Sequence, residues 1–168
     1  MKLVYIDDTY IKYLRQFDTR VLWNKERRPY VGILLSVNNF TYFAPLESAK
    51  QGKRTNRRLA LQIWNRINID KDPISFLLIN DMIPVSKTNW RQIDLETEKK
   101  RDLNKYLMLM NELNYLRPRE VQIIKQAHSV YNNTTVKKVP FFKKMCLNFK
   151  LLETKSLVFD NRNNNTNL

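Results

Sequence analysis

Tyr30-Val-Gly-Ile-Leu-Leu-Ser-Val37, Asn38-Asn39 and Phe40-Thr-Tyr-Phe-Ala-Pro-Leu46 decide the fold. Two runs rich in β-branched and aromatic residues flank an Asn-Asn pair, a turn signal, so the segment predicts a β-hairpin. Pro45 lacks a backbone donor and predicts the end of the second strand or an edge position. Before the hairpin, the run from Lys2 to Ile6 predicts a strand. Asp7, Asp8 and Thr9 then offer an N-cap to a short helix on which Tyr10, Tyr13, Leu14 and Phe17 recur at helical spacing. The polar stretch from Asp18 to Pro29, with Lys25, Arg27 and Arg28, predicts a loop. After the hairpin, a basic loop from Ser48 to Arg58 leads into the apolar runs Leu59 to Ile67, Ile74 to Ile79 and Met82 to Val85. Several short strands with one helix predict a small, strongly curved antiparallel sheet or open barrel.

The period changes in the second half. Leu103, Tyr106, Leu107, Met110, Leu113 and Leu116 predict one face of a single long helix from Leu95 to Leu116. Arg117-Pro118 breaks it, and Pro118 suits the first turn of the next helix, lined by Val121, Ile124, Ala127, His128 and Tyr131. Val139 to Leu157 predicts a turn or two more of helix, and the Asn-rich stretch 159–168 predicts a frayed tail. The fold class is therefore α+β, one domain over 1–158, with the added helices mainly in the C-terminal half.

Thirty Lys and Arg face sixteen Asp and Glu in 168 residues, a formal net charge of +14. That field makes a polyanion the natural partner, nucleic acid before an anionic membrane. Two glycines exclude a Gly-rich nucleotide loop. A lone Cys146 excludes an intrachain disulfide, and a lone His128 excludes the usual zinc constellations and a two-histidine acid–base pair. The carboxylates form no metal-ligand spacing beyond Asp7-Asp8, which a helix cap explains, so neither metal nor other cofactor is expected. The acidic turn at Asp7-Asp8 and the short apolar runs argue against a signal peptide or a membrane span, and predict a cytoplasmic protein.

The best site candidate is the strand–loop unit from Tyr42 to Arg54. A strand would deliver Ser48 and Lys50 to the start of a cationic loop that carries Lys53, Arg54, Arg57 and Arg58, able to hold a phosphodiester. The bland alternative is a turn serine and a solvated charge run. Arg28 and Tyr30 stand at the start of the neighbouring strand, and Tyr10 lies on the first helix. Tyr10 and Tyr30 are either core aromatics or stacking surfaces for bases, and Trp23, Trp64 and Trp90 are open in the same way.

At these residues the sequence resembles the ToxN/AbiQ family, the protein toxins of type III toxin–antitoxin systems. The resemblance runs from Met1 to about Lys155. It rests on Tyr10-Ile-Lys-Tyr-Leu14, Arg28-Pro-Tyr-Val-Gly-Ile33, Tyr42-Phe-Ala-Pro-Leu-Glu-Ser-Ala-Lys50, Leu78-Ile-Asn-Asp-Met-Ile-Pro84 and Cys146-Leu-Asn-Phe-Lys-Leu-Leu-Glu153, in that order. It implies a curved β-core like that of the MazF/Kid toxins. It implies a metal-independent endoribonuclease that cuts single-stranded, often adenine-rich RNA, with a role in phage defence by abortive infection. It implies as partner a small repeated RNA antitoxin, folded as a pseudoknot, in closed protein–RNA rings, with neither DNA nor membrane involved. The family's catalytic Ser and Lys become Ser48 and Lys50, its early-helix tyrosine Tyr10, and its basic residue two before an aromatic Arg28 with Tyr30. Two departures stand out: Glu47 replaces the family's usual Ser or Thr, and Ala49 its usual Pro. Because strand neighbours face opposite sides, Ser48 is expected to face the substrate and the orientation of Glu47 is open. A non-catalytic RNA-binding module fits the composition equally well, while no helix-turn-helix signal supports a DNA-binding regulator.

Overall fold

The computed structural model describes the chain except residues 25–27, 38, 51, 53–54, 66–71, 87 and 167–168, and except the side chains of 33, 34 and 161–166. Along the chain come β1 (Lys2–Ile6), α1 (Asp8–Arg15), β2 (Tyr30–Val37), β3 (Phe40–Ser48), β4 (Ala60–Ile63), β5 (Ser75–Leu78), β6 (Ile83–Pro84) and β7 (Trp90–Gln92). Five helices follow: α2 (Leu95–Arg101), α3 (Leu103–Leu116), α4 (Glu120–Thr135), α5 (Pro140–Met145) and α6 (Phe149–Thr166). The strands form one antiparallel sheet in the order β4-β5-β3-β2-β1-β7, with β6 beside β3. Among the described residues its edges β4 and β7 do not pair, so the sheet is open rather than a closed barrel.

The β2–β3 hairpin is its centre. Pairing slips between Val31, opposite Ala44, and Leu35, opposite Tyr42, so β2 carries extra length there. Such an irregularity bends a strand and increases its twist. Gly32 lies beside the slip, and a Cβ there would come 2.1 Å from the Phe43 ring, so only glycine fits. Pro45 proves to be internal to β3, not at its end. It falls between the stretch that pairs with β6, at Tyr42 and Phe43, and the stretch that pairs with β5, at Leu46 to Ser48. At that change of partner no ladder bond needs its missing N–H.

The sheet is buried largely by α1, α4 and α6. Tyr10, Tyr42, Phe43, Phe76 and Phe149 are among the largest side chains fully excluded from water. A polar knot ties the last helix to them. Glu153 of α6, itself buried, accepts from the hydroxyls of Tyr42 at 2.8 Å and Tyr131 at 2.6 Å, and pairs with Lys150 at 2.9 Å. A buried carboxylate persists only with partners of this kind. The expected tail gives way at its start: α6 runs on to Thr166, Phe159 packs on Tyr10 and Tyr13, and Asp160 accepts from Ser86 and Asn89.

Two other helix expectations change. The expected single helix over 95–116 is two, because Asp102 leaves helical geometry and caps the amide of Lys105 at 3.0 Å. On α4 the buried stripe is Ile123, Ala127, Val130, Tyr131 and Thr134, so Val121 and His128 face water. Cys146 is a free, buried thiol, which burial pushes up from its ordinary range.

Candidate active site

Where β3 leaves the sheet, an open groove of about 270 Å³ is bordered by Asn24, Arg28, Glu47, Ser48, Lys50 and, from α3, Lys105 and Met108. The end of β3 places Ser48 directly opposite Ser75 of β5. Ser48 and Lys50 are exposed and Glu47 is half-buried. Glu47 and Ser48 both border the groove, so the alternation expected of a regular strand does not hold Glu47 away from it.

Arg28 is built in from the preceding loop. Its Nη1 donates to the Leu46 carbonyl at 3.1 Å and its Nε to the Trp23 carbonyl at 3.0 Å. Its own amide donates to the Asn24 carbonyl at 2.8 Å. The guanidinium is thus pinned two residues before Ser48. Asn24 is buried, and its amide nitrogen donates to the Ile6 carbonyl and to Asp8 at 2.6 and 2.7 Å. These bonds tie the loop to β1 and α1. Arg28, Lys50 and Lys105 thus line the same groove as Ser48, and three cations in one open groove suit a phosphodiester.

Ser48, Lys50 and Arg28 are thus brought together as the sequence led one to expect. Tyr10 and Tyr30 are not at this surface. Tyr10 is 0% exposed, and its hydroxyl donates to the Pro84 carbonyl and accepts from the Ser156 hydroxyl. Tyr30 is 1% exposed. Burial raises the titration of both phenols above its ordinary range. Of the two roles the sequence left open for them, the structure gives core packing, and base stacking is corrected for both. Lys53 and Arg54 lie outside the described residues. Arg57 and Arg58 turn toward the helices. Arg57 borders a separate hollow with Trp64, Tyr115 and Gln126, and its carbonyl accepts from Gln126 at 2.9 Å. Arg58 sits 4.9 Å from the ring centres of both Phe141 and Phe142.

Asn24, Lys105 and Met108 are groove residues that the sequence reading missed. A helix about sixty residues away carries no local sign of the strand end it covers. A second hollow of about 310 Å³ gathers Arg20, Lys138, Lys143 and Lys150 at the junction of α4, α5 and α6. Among the described residues no three His, Cys, Asp or Glu side chains come together as a metal site, and no helix is long and apolar enough to cross a membrane.

Comparison with known proteins gives the family. Residues 2–156 match the model of the family described as toxin ToxN of the type III toxin–antitoxin system. The chain is 30% identical over 165 residues to endoribonuclease ToxN of Bacillus thuringiensis subsp. kurstaki, covering 94% of this chain and 83% of that one. It is 30% identical over 166 residues to endoribonuclease AbiQ of Lactococcus lactis subsp. lactis, covering 94% and 88%. A solved type III toxin, described as selectively inhibited by a non-coding RNA pseudoknot, superposes with a TM-score of 0.87 at 30% identity, covering 95% and 97%. The structure of AbiQ, a lactococcal anti-phage endoribonuclease, superposes with a TM-score of 0.84 at 28% identity, covering 95% and 98%.

Proposed function

This chain belongs to the ToxN toxin family of type III toxin–antitoxin systems, and from that premise we propose that the Ser48 groove is where it cuts RNA. It is an endoribonuclease, and its regulating partner is an RNA. The observation that carries the proposal is the meeting of Ser48, Lys50 and the pinned Arg28 in one open groove. The substrate is single-stranded RNA, with adenine-rich segments preferred as in the resemblance.

Cleavage is transesterification. The 2′-oxygen attacks the adjacent phosphorus, the bond from phosphorus to the 5′-oxygen breaks, and a 2′,3′-cyclic phosphate and a 5′-OH remain. Ser48 holds the scissile phosphate, while Arg28 and Lys105 offset the charge that builds on the phosphorane. Glu47 is the carboxylate at hand to take the 2′-OH proton, and Lys50 gives a proton to the leaving oxygen. No step calls for a metal ion. The antitoxin, a pseudoknot unit of a repeated RNA, inhibits by filling the groove, and protein and RNA alternate in a closed ring. The second basic hollow offers a place for further phosphate contacts. Release of the toxin during phage infection accounts for a defence role.

Ser48→Ala, expressed at the wild-type level, tests the site. Growth arrest and cleavage are expected to disappear while antitoxin binding persists. Cleavage by the wild type is expected to survive excess EDTA and to leave 5′-OH ends. Full activity of Ser48→Ala, or products with 5′-phosphates, would refute the mechanism. Undiminished growth arrest with no cut RNA would favour the non-catalytic RNA-binding reading.

A further inference from the structure

With Tyr10 and Tyr30 inside the core, the groove needs another surface for the bases of a single strand. The segment from Val21 to Asn24 supplies one. Val21 and Asn24 are buried and Leu22 packs with Ala49 on the small core of Ala60, Phe76 and Leu78, yet Trp23 between them is 48% exposed. About half of the indole is therefore open to a ligand. Its position is fixed from two sides. The Trp23 carbonyl holds Arg28 Nε at 3.0 Å, and Arg28 in turn reaches Leu46, two residues before Ser48. The Arg15 guanidinium lies 4.3 Å from the indole centre, and is itself bonded to the Val21 carbonyl. One face of the ring thus rests on a cation already tied down. Asn24, the next residue, and Arg28, bonded to the Trp23 carbonyl, both border the groove, which puts Trp23 beside its lining.

We propose that Trp23 is the base-stacking residue of the RNA site, holding a nucleobase next to the phosphate that Ser48 and Lys50 engage. This rests on the reading of the groove as an RNA site. Every base has a π-face, so stacking holds a strand with little regard to sequence. A ring already packed on Arg15 loses little freedom when a base covers it, and the adjacent cations draw the phosphates on either side. The chemistry required of the ligand is an unpaired nucleotide, because a base within a duplex has no free face.

The test uses the full chain and a 2′-O-methyl oligoadenylate, which cannot be cut. Wild-type tryptophan fluorescence should be quenched on binding, and the quenching should be lost in Trp23→Phe, which leaves Trp64 and Trp90. Trp23→Ala should weaken binding about tenfold and raise KM for a cleavable strand more than it lowers kcat. Trp23→Phe, still aromatic, should recover most of the affinity. Replacing successive nucleotides by abasic ones should find one position that costs the wild type about tenfold and costs Trp23→Ala nothing further. Equal affinity of Trp23→Ala and wild type would overturn the proposal. So would an abasic penalty of the same size in both proteins, or a Trp23→Ala variant altered only in its self-association without RNA. Trp23-dependent quenching by a wild type that cuts no RNA would leave the stacking role standing and remove the nuclease reading. A wild type that binds no single strand would remove both.

Discussion

Glu112 is a carboxyl on the inner face of α3, 1% exposed, with one oxygen, Oε2, that has no hydrogen-bond partner. It lies one turn beyond Met108, which borders the groove, and near the buried Ser75, the cross-strand neighbour of Ser48. Burial pushes its titration up to about 7 from the ordinary 4.5, and the nearby Ser75 hydroxyl, without a well-formed bond, pulls back only in part. In the unfolded chain the group releases its proton near the ordinary value, whereas in the folded chain it keeps it until about pH 7. Between those values the native state holds the extra proton, so raising the pH destabilises it. The contribution is intact below the unfolded value, fades as pH climbs, and is spent once pH exceeds the folded one. At the usual conversion the total is about 3 kcal/mol. Glu112→Gln, which keeps the neutral shape, should therefore gain on the wild type by up to about that amount between pH 4.5 and pH 8 in urea unfolding. A difference between the two proteins that is the same at every pH would show that Glu112 does not titrate in this window.

At the scale of elements, α3 matters because its first turns carry Lys105 and Met108 over the end of β3. Its start is set by Asp102, whose side chain accepts from the Lys105 amide. Losing such a cap costs about 1 kcal/mol, and here it also frees the turn that aims Lys105. Asp102→Ala should lower the urea midpoint accordingly and weaken binding of a single strand, while Asp102→Asn, which can still cap, should do neither. Unchanged RNA affinity in a destabilised Asp102→Ala would separate the cap from the groove. The same residue shows where sequence reading stops. The apolar spacing of 103–116 locates the helix, but Glu96 to Asp102 holds no apolar residue, so spacing says nothing of whether the helix is broken there. The hairpin is legible because turn residues and β-branched runs are local signals. That Ser48, Lys50 and Arg28 share a groove is legible because they lie on that hairpin and its approach. Whether Tyr10 faces water depends on α6, some 146 residues along the chain at Ser156, and no local pattern reports it. His128 and Val121 fall on the exposed side of α4 for a similar reason. The helix meets the sheet through the stripe of Ile123 and Ala127, and spacing alone leaves that phase ambiguous by a residue.

At the scale of the whole molecule, the net charge of +14 must be divided between a general field and the few cations that meet phosphates in the bound state. Salt separates the two. For a single strand the logarithm of affinity falls by about 0.7 for each phosphate contacted per log unit of salt. Lys50 and Lys105 border the groove, whereas Arg58 is held against Phe141 and Phe142. Lys50→Ala and Lys105→Ala should each make the salt slope shallower by about 0.7. Arg58→Ala removes the same formal charge but no groove cation, so its slope should match the wild type and its loss should appear in thermal stability instead. Equal slope changes for all three would mean that RNA reads overall charge and not this groove. The folded antitoxin provides the stricter comparison. Shape and stacking add to its affinity, so a discrete small RNA should stay with the wild type through a high-salt wash on size exclusion, and the Lys50→Ala Lys105→Ala double variant should shed it. A mixed RNA pool that washes off the wild type completely would leave the protein with field attraction alone, and a closed protein–RNA assembly could not be held together on that basis.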